Sequence, residues 1–377
     1  MRILVMIYEF PPVGGGGGQA AKDICLGLVK RGHEVRVITS HLKGLPKHEI
    51  IGGVDVIRVS SGRRRAFQAN LMDMSGFVIA GIWTGLQIIK EWRPDIIHVH
   101  FAVPSGPTTW VLHKLTRTPY VLTAHLGDVP GGVPEKTHKW FRWVYPFTPS
   151  IWKSAAQVVA VSEFTRSLAS QHYQVDIQVI PNGVDLVKLD PGKITVGQPP
   201  RIIFAGRFMA QKNPVGLVKI LAEQSDSPWL CTMLGDGPLR QDVLRVIREN
   251  KLEERFTLPG WVSTDEVIKW FAQSDILFMP SLSEGLPVVG VQALAMGLAI
   301  VASRIGGFTD IVNPGHNGFL VDSHDLQGFG NAIHGLLSDQ NLIKNQRAAS
   351  REHAKLFDIN RVIHNYEAVF SSVIQAR

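Results

Sequence analysis

Cysteine is nearly absent from this 377-residue chain; Cys25 and Cys231 are the only two, and they lie far apart. That excludes a disulfide scaffold and a four-cysteine zinc site, and it suits a reducing compartment. No Asp-x-Asp pair and no H-E-x-x-H stretch occurs. A metal-dependent nucleotide-sugar site or a zinc site therefore has little support. Long apolar runs are also missing. One apolar stretch without charge, Met74–Ile89, contains Ser75, Thr84 and Gln87. A spanning helix needs about 20 mostly apolar residues, so this one reads as a buried helix ahead of an interfacial one. Met1-Arg2 and ILVMIY resemble a leader only briefly, because Glu9 interrupts and no small-residue cleavage pattern follows.

What is present is ample for packed cores: 45% of residues are hydrophobic and 19% charged, which excludes a disordered chain. The length predicts two domains. Charge is uneven. Residues 1–185 hold 20 Lys and Arg against 13 Asp and Glu, whereas the remainder is balanced at 19 against 19. The first half thus carries the whole formal excess and expects an anionic partner, phosphate or membrane surface before nucleic acid.

Short apolar, β-branched runs alternate with helical patterns throughout. They are Ile3–Ile7, Val35–Thr39, Val54–Val59, Asp95–Val99, Tyr120–Thr123, Val158–Val161 and Ile177–Ile180 in the first half. Arg201–Ala205, Leu230–Leu234, Phe256–Leu258, Ile276–Met279, Ile300–Ala302 and Phe319–Val321 follow in the second. Runs such as IIFA and ILFM are apolar throughout, as parallel strands buried on both faces are. The fold class is therefore α/β, with two doubly wound Rossmann-like domains. The Pro- and Gly-rich stretch Val184–Pro200 is the boundary. Residues 1–185 form one domain, 186–357 the other, and the final segment, about 358–377, is a helix.

Ligands of such sheets sit at the carboxyl ends of strands, so the residues there carry the functional reading. The first strand runs into Gly14, Gly15, Gly16, Gly17 and Gly18 and then a helix, a fair phosphate or sugar loop. Gly15-x-Gly17-x-x-Ala20 also fits the dinucleotide fingerprint, but the second strand ends Thr39-Ser40-His41 without the ribose-binding acid. Arg207 and Lys212 share the loop after Arg201–Ala205, and two cations there can neutralise a diphosphate; the alternative is two solvated charges. Asn213-Pro214 reads as N-cap and first helical residue. In Pro280-Ser281-Leu282-Ser283-Glu284-Gly285-Leu286-Pro287 a capping box at Ser281 would place Pro287 beyond the first turn, where it is costly. The helix instead starts near Pro287 and ends at Gly297. Glu284 then hangs before a helix N-terminus, an arrangement that suits a polyol phosphate. His125 ends another strand, as a reacting-centre residue or a structural hydrogen bonder.

Taken in order, YEFPPVGGGGGQA, RPDIIHVH, TAHLGD, PNGVD, AGRFMAQKN, GDGPL, PSLSEGLPVVGVQALAMG and ASRIGG…NGFLV resemble the retaining glycosyltransferases of family 4, over nearly the whole chain. The resemblance implies the GT-B fold, two Rossmann-like domains facing across a cleft, the last helix crossing back onto the first domain. It implies transfer of a hexose from a nucleoside-diphosphate sugar, UDP-glucose for example, to a saccharide or lipid-linked saccharide without metal or cofactor. Acceptor attack comes from the face that the diphosphate leaves. The pathway implied is polysaccharide or glycolipid synthesis; a cytoplasmic enzyme is expected, with peripheral attachment to the inner face of the membrane as one alternative.

By position, Glu284 corresponds to the first acid of the family's Glu-x7-Glu motif, which holds donor-sugar hydroxyls. Arg207 and Lys212 take the diphosphate, and Gly285, Leu286, Pro287 and Val288 hold sugar and phosphate, largely through backbone. Gly206, Gly235, Gly260 and Trp261 belong to the donor side, the stretch Pro259–Val262 at the base. Gly16 and Gly17 close on the donor, Gly14 and Gly15 admit the acceptor, and His125 stands near the anomeric carbon. Arg63, Arg64 and Asn182 are acceptor-side candidates. One departure stands out: the second acid is Gln292 here, which accepts a ribose hydroxyl only through a neutral oxygen. That departure keeps open a non-catalytic nucleotide-sugar binder; an epimerase or phosphorylase on the same scaffold is the other rival. The aromatic and basic stretch Lys136 to Phe147 is a membrane-interface candidate or a helix packed on its own domain.

Overall fold

The computed structural model describes residues 1–65, 70–132 and 144–376. The chain divides into two compact units, Met1–Gly183 with Ile359–Arg377, and Val184–Asp358.

The first unit is an eight-stranded sheet of β1 (Arg2–Met6), β2 (Glu34–Ser40), β3 (His48–Ile51), β4 (Val54–Val59), β5 (Ile96–His100), β6 (Tyr120–Ala124), β7 (Gln157–Ala160) and β8 (Ile177–Val179). Its order is β3-β4-β2-β1-β5-β6-β7-β8. Every pairing is parallel except β3 on β4. The sequence runs anticipate all of these strands but β3, whose short HEII lacks an apolar period. Its signal is the Gly52-Gly53 turn, with φ of +56° and +88°, which a tight hairpin demands.

The helices of this unit are α1 (Gly16–Lys30), α2 (Leu71–Trp92), α3 (Ser105–Thr116), α4 (Thr148–Ser154) and α5 (Glu163–Ser170). Two cores flank the sheet. One packs Ile24, Leu28 and the chain-terminal helix against Ile3, Val5 and Val121; the other packs Phe77, Ile88, Leu112 and Trp152 against Leu4, Met6 and Leu122. Each fully buried large apolar side chain contributes about 1.5–3 kcal/mol.

The second unit is a six-stranded, wholly parallel sheet of β9 (Arg201–Ala205), β10 (Leu230–Leu234), β11 (Phe256–Gly260), β12 (Ile276–Met279), β13 (Ala299–Ser303) and β14 (Gly318–Val321). Its order is β11-β10-β9-β12-β13-β14. Its helices are α6 (Pro214–Ala222), α7 (Arg240–Glu249), α8 (Thr264–Ala272), α9 (Val288–Ala295), α10 (Phe308–Ile311), α11 (Leu326–Ser338) and α12 (Gln340–Ala354). As the sequence requires, Asn213 caps α6 through the Gly216 N–H, with Pro214 in the first turn. Pro287 directly precedes α9, and Gly297 follows it with φ +65°.

At the amino edge of this sheet Arg347 is buried and ion-paired with Asp275. Its Nε donates to the Gly297 carbonyl at 2.6 Å and its Nη1 to that of Thr195 at 2.6 Å. Asp275 in turn accepts from the backbone N–H of Arg201 at 2.8 Å.

The final helix, α13 (Ile359–Gln375), belongs to the first unit. Its Ile363 Cδ1 sits where a Cβ on Gly27 of α1 would be. Glu367 pairs with Arg31 and, at 2.7 Å, with His33.

One expectation is corrected. The apolar stretch from Met74 is not a buried helix. Asn70 and Asp73 form the capping box of α2, and Phe77, Gly81, Gly85, Ile88 and Trp92 face the core. The opposite face carries Met72, Ile79 and Trp83 at 83, 61 and 73% exposure. The periodicity is amphipathic in placement but apolar on both sides, so composition alone read it as buried. Of the stretch Lys136 to Phe147, residues 136–143 lie outside the described residues.

Candidate functional site

In the second unit the strand order reverses between β9 and β12. That is the topological switch point, where an open α/β sheet leaves a crevice at its carboxyl edge. The loop after β9 brings Gly206, Arg207 and a short 3-10 turn, Ala210–Lys212. The loop after β12 brings Pro280 to Pro287. Gln211 ties the two loops together: its carbonyl accepts from the Leu282 N–H at 2.7 Å and its Nε2 donates to the Ser283 carbonyl at 2.9 Å. Across that tie the Lys212 ammonium pairs with Glu284. Glu284 is buried, Lys212 and Arg207 half-buried. The Lys212 stem passes beside Gly206, 3.6 Å from where a Cβ would stand.

The Glu284 loop is braced from behind. A Cβ on Gly306, at φ +50°, would fall 1.6 Å from the Glu284 carbonyl oxygen. The Gly307 N–H donates to the Gly285 carbonyl. The glycine pair of ASRIGG therefore shapes the site, a role sequence reasoning had left blank. Its signal is two glycines shortly after a strand.

Beyond this turn, Leu286 and Pro287 are buried and Val288 opens α9. Gln292 lies one turn on, on the same side of the helix as Val288. Next to β9, the Gly235 N–H donates to the Gly260 carbonyl at 2.8 Å and the Gly206 N–H to the Leu234 carbonyl at 2.9 Å, aligning three strand ends. Trp261 stands exposed beyond Gly260.

Three polar groups near this edge were missed. The buried hydroxyls of Ser281 and Ser303 and Arg240 Nη1 have no protein partner. They belong to ordinary-looking strand-end and helix-start residues, which carry no pattern in the sequence. Two half-buried cations, a carboxylate and a helix N-terminus can together hold an anionic, hydroxyl-rich ligand.

The first unit reverses strand order between β1 and β5, and the glycine run leaves β1 there. Gly14 has φ +97°, and a Cβ on it would stand 2.5 Å from the Glu9 Cβ. A Cβ on Gly17 would stand 2.7 Å from the Phe101 ring and 3.4 Å from that of His125. The run is thus demanded by close neighbours as much as by flexibility. Gly15 and Gly16 are exposed at the start of α1.

Arg63 is buried. Its Nη2 meets Glu9 Oε1 at 2.8 Å and its guanidinium carbon lies 4.8 Å from the Tyr8 ring centroid. That places Arg63 as a brace for Glu9 against the glycine loop. Arg64 is exposed, and Asn182 is buried past the end of β8.

His125 follows β6, buried and stacked on Phe101 with centroids 4.1 Å apart. Its backbone N–H donates to Asp128 Oδ2 at 2.8 Å, and its Nε2 has no protein partner. Burial lowers its pKa to about 4, so the imidazole is neutral at pH 7. His98 and His100 stand behind it, their rings 4.2 Å apart. Burial lowers His98 to about 3 and His100 well below the ordinary value. His98 Nε2 lies 2.8 Å from Thr123 Oγ1, which lies 3.1 Å from the Tyr366 hydroxyl. Asp128, pushed up to about 7 by burial, and the His98–His100 pair were not read as site residues. The signal was the i, i+2 spacing of RPDIIHVH, which puts both rings on one face of β5. Among the described residues no group of three or more His, Cys, Asp or Glu is placed to hold a metal ion.

Comparison with known proteins covers both units. Residues 14–188 match the model of Glycosyltransferase Family 4, and residues 190–355 that of Glycosyl transferases group 1. The D-inositol 3-phosphate glycosyltransferase of Arthrobacter sp. (strain FB24) is 28% identical, over 98% of this chain and 94% of its own. The structure of sucrose-phosphate synthase from Thermosynechococcus elongatus superposes with a TM-score of 0.87 at 20% identity, over 100% of this chain and 99% of its own. That of Anabaena HepE in complex with UDP-glucose does so with a TM-score of 0.77 at 20% identity, over 99% of this chain and 100% of its own.

Proposed function

The chain belongs to the family 4, group 1 glycosyltransferases, a retaining family of GT-B fold that uses nucleotide-sugar donors, and we propose that it transfers a hexose from a UDP-sugar to a saccharide or lipid-linked saccharide. The observation that carries this reading is the Lys212–Glu284 pair at the switch point of the second unit, beside Arg207. We assign the donor to that unit and the acceptor to the first. HepE, whose structure holds UDP-glucose, supports uridine as the base.

In this reading Arg207 and Lys212 meet the diphosphate. The Lys212 ammonium has three donor hydrogens, so it can keep Glu284 and still reach a phosphate oxygen. Glu284, aimed by that contact, accepts from hydroxyls of the transferred sugar. The backbone at Gly285 and Leu286 and the start of α9 take the remaining phosphate oxygens. His125, held neutral, offers an uncharged ring nitrogen to a sugar hydroxyl. Gln292 accepts from a ribose hydroxyl through its amide oxygen.

The step breaks the bond between the anomeric carbon and the phosphate oxygen. It forms one from the same carbon to the acceptor oxygen on the same face. The acceptor's proton passes to the departing phosphate. Negative charge grows on that phosphate, and the two cations stabilise it without a metal. Each well-placed donor of this kind is worth about 2.7–4 kcal/mol.

Gln292 favours a second reading, a binder whose weakened ribose grip accompanies loss of turnover. The test is transfer from UDP-glucose and other UDP-hexoses to a panel of acceptors in EDTA, with the anomeric configuration of the product read by NMR. A retained α-linkage is the expected result. Donor binding without transfer across the panel would establish the binder, and no diphosphate binding would overturn both.

A further inference from the structure

The least explained surface of the first unit is the outer face of α2. With 3.6 residues per turn, Met72, Ile79, Trp83 and Lys90 lie within about 20° of one line along the helix and span about 27 Å. Met72, Ile79 and Trp83 are among the most exposed large apolar side chains of the chain. The helix is apolar and long enough to cross a membrane by composition. Its inner face, however, is committed to the core through Phe77, Gly81, Gly85 and Ile88. A helix with one face fixed to a sheet and the other apolar and open cannot span; it lies along an interface.

The charge of the sequence that brackets it selects the partner. No charged residue occurs between Met74 and Ile89, and the stripe ends on Lys90. From Arg64 to Arg117 six cations, Arg64, Arg65, Lys90, Arg93, Lys114 and Arg117, stand against Asp73, Glu91 and Asp95. All six are exposed. A second copy of the chain docked face to face would bring this excess against itself. An anionic bilayer complements it, and Trp83 is the residue type that settles at headgroup level.

We infer that the outer face of α2 is a docking surface for an anionic lipid membrane, entered by Met72, Ile79 and Trp83 and steered by the flanking cations. The inference concerns this surface and stands apart from the transfer chemistry.

The test is co-sedimentation of the full chain with vesicles of phosphatidylcholine alone or with added phosphatidylglycerol, at low and high salt. Wild type is expected to pellet with the anionic vesicles, and less so in high salt. The double substitution Ile79→Ser with Trp83→Ser, at exposed positions, should weaken binding roughly tenfold or more. Quenching of tryptophan fluorescence by brominated lipid in the wild type reports insertion without any variant. Absence of wild-type binding to anionic vesicles would overturn the inference. So would equal binding by the double variant, or a dimer that the variant dissociates without any vesicle binding. UDP binding by the same variant separates this outcome from the donor-site reading, since it should be unchanged.

Discussion

The second unit holds two ion pairs with a buried carboxylate at opposite edges of one sheet. Asp275–Arg347 at the amino edge is enclosed: Arg347 Nε and Nη1 meet the carbonyls of Gly297 and Thr195, and the Asp275 oxygens meet the N–H groups of Gly197 and Arg201. Lys212–Glu284 at the carboxyl edge is partly open, with the lysine side chain at 18% exposure. A buried pair stripped of one partner leaves an uncompensated charge, whereas apolar replacement of both is often tolerated. The closed pair therefore fastens the segment around Thr195 and Gly197 to the sheet. The open pair keeps hydrogen-bonding capacity for something else. Burial alone does not separate a structural pair from a functional one; unspent valence does.

The largest effect that would test this contrast is on stability. Arg347→Met should lower unfolding free energy by about 3–5 kcal/mol, measured by urea titration. Adding Asp275→Leu should recover much of the loss. A single substitution without cost would remove the structural role.

Lys212→Met should act the other way, lowering kcat about 10²–10³-fold with a smaller stability loss than Arg347→Met. Adding Glu284→Leu should restore no activity.

A third expectation contrasts these fixed charges with the neutral histidines of the first unit. The folded-state pKa values of His98, His100 and His125 lie below the ordinary 6.5. The stability they contribute is present above 6.5 and lost as pH falls toward 4 and below. Asp128, raised to about 7, runs opposite, its contribution present at low pH and lost as pH rises to about 7. Three histidines outweigh one aspartate, so the urea midpoint should fall between pH 6.5 and 4. His100→Phe should flatten that slope, and an unchanged slope would refute the assignment.

The smallest effect concerns Gln292. Restoring the charge in Gln292→Glu should lower the donor KM by a few-fold, about 0.5–1.5 kcal/mol for one hydrogen bond. A raised KM would mean that the glutamine suits this chain's own ligand better.

Much of this was legible in the sequence. Continuous apolar runs marked the strands because parallel strands are buried on both faces. Pro287 and Gly297 fixed the bounds of α9, and with them the loop position of Glu284. What escaped depends on contacts distant in sequence. Arg63 read as an acceptor-side candidate like Arg64 until the fold buried it on Glu9. Gly306 needed the Glu284 carbonyl beside it to explain why no side chain fits. His98 and His100 had no role of their own within RPDIIHVH, since only α13 and β6 turn them into a neutral cluster with Thr123 and Tyr366. The outer face of α2 ranked behind a buried helix because an apolar helix looks the same in sequence whether one face or both are covered.

The central claim is that the open pair belongs to a diphosphate site. Titrating UDP into wild type and Lys212→Met by calorimetry in EDTA tests it directly. The account predicts metal-free binding that weakens roughly tenfold or more in the variant, as the loss of one charge-assisted hydrogen bond requires. Equal affinity in the two proteins would contradict it.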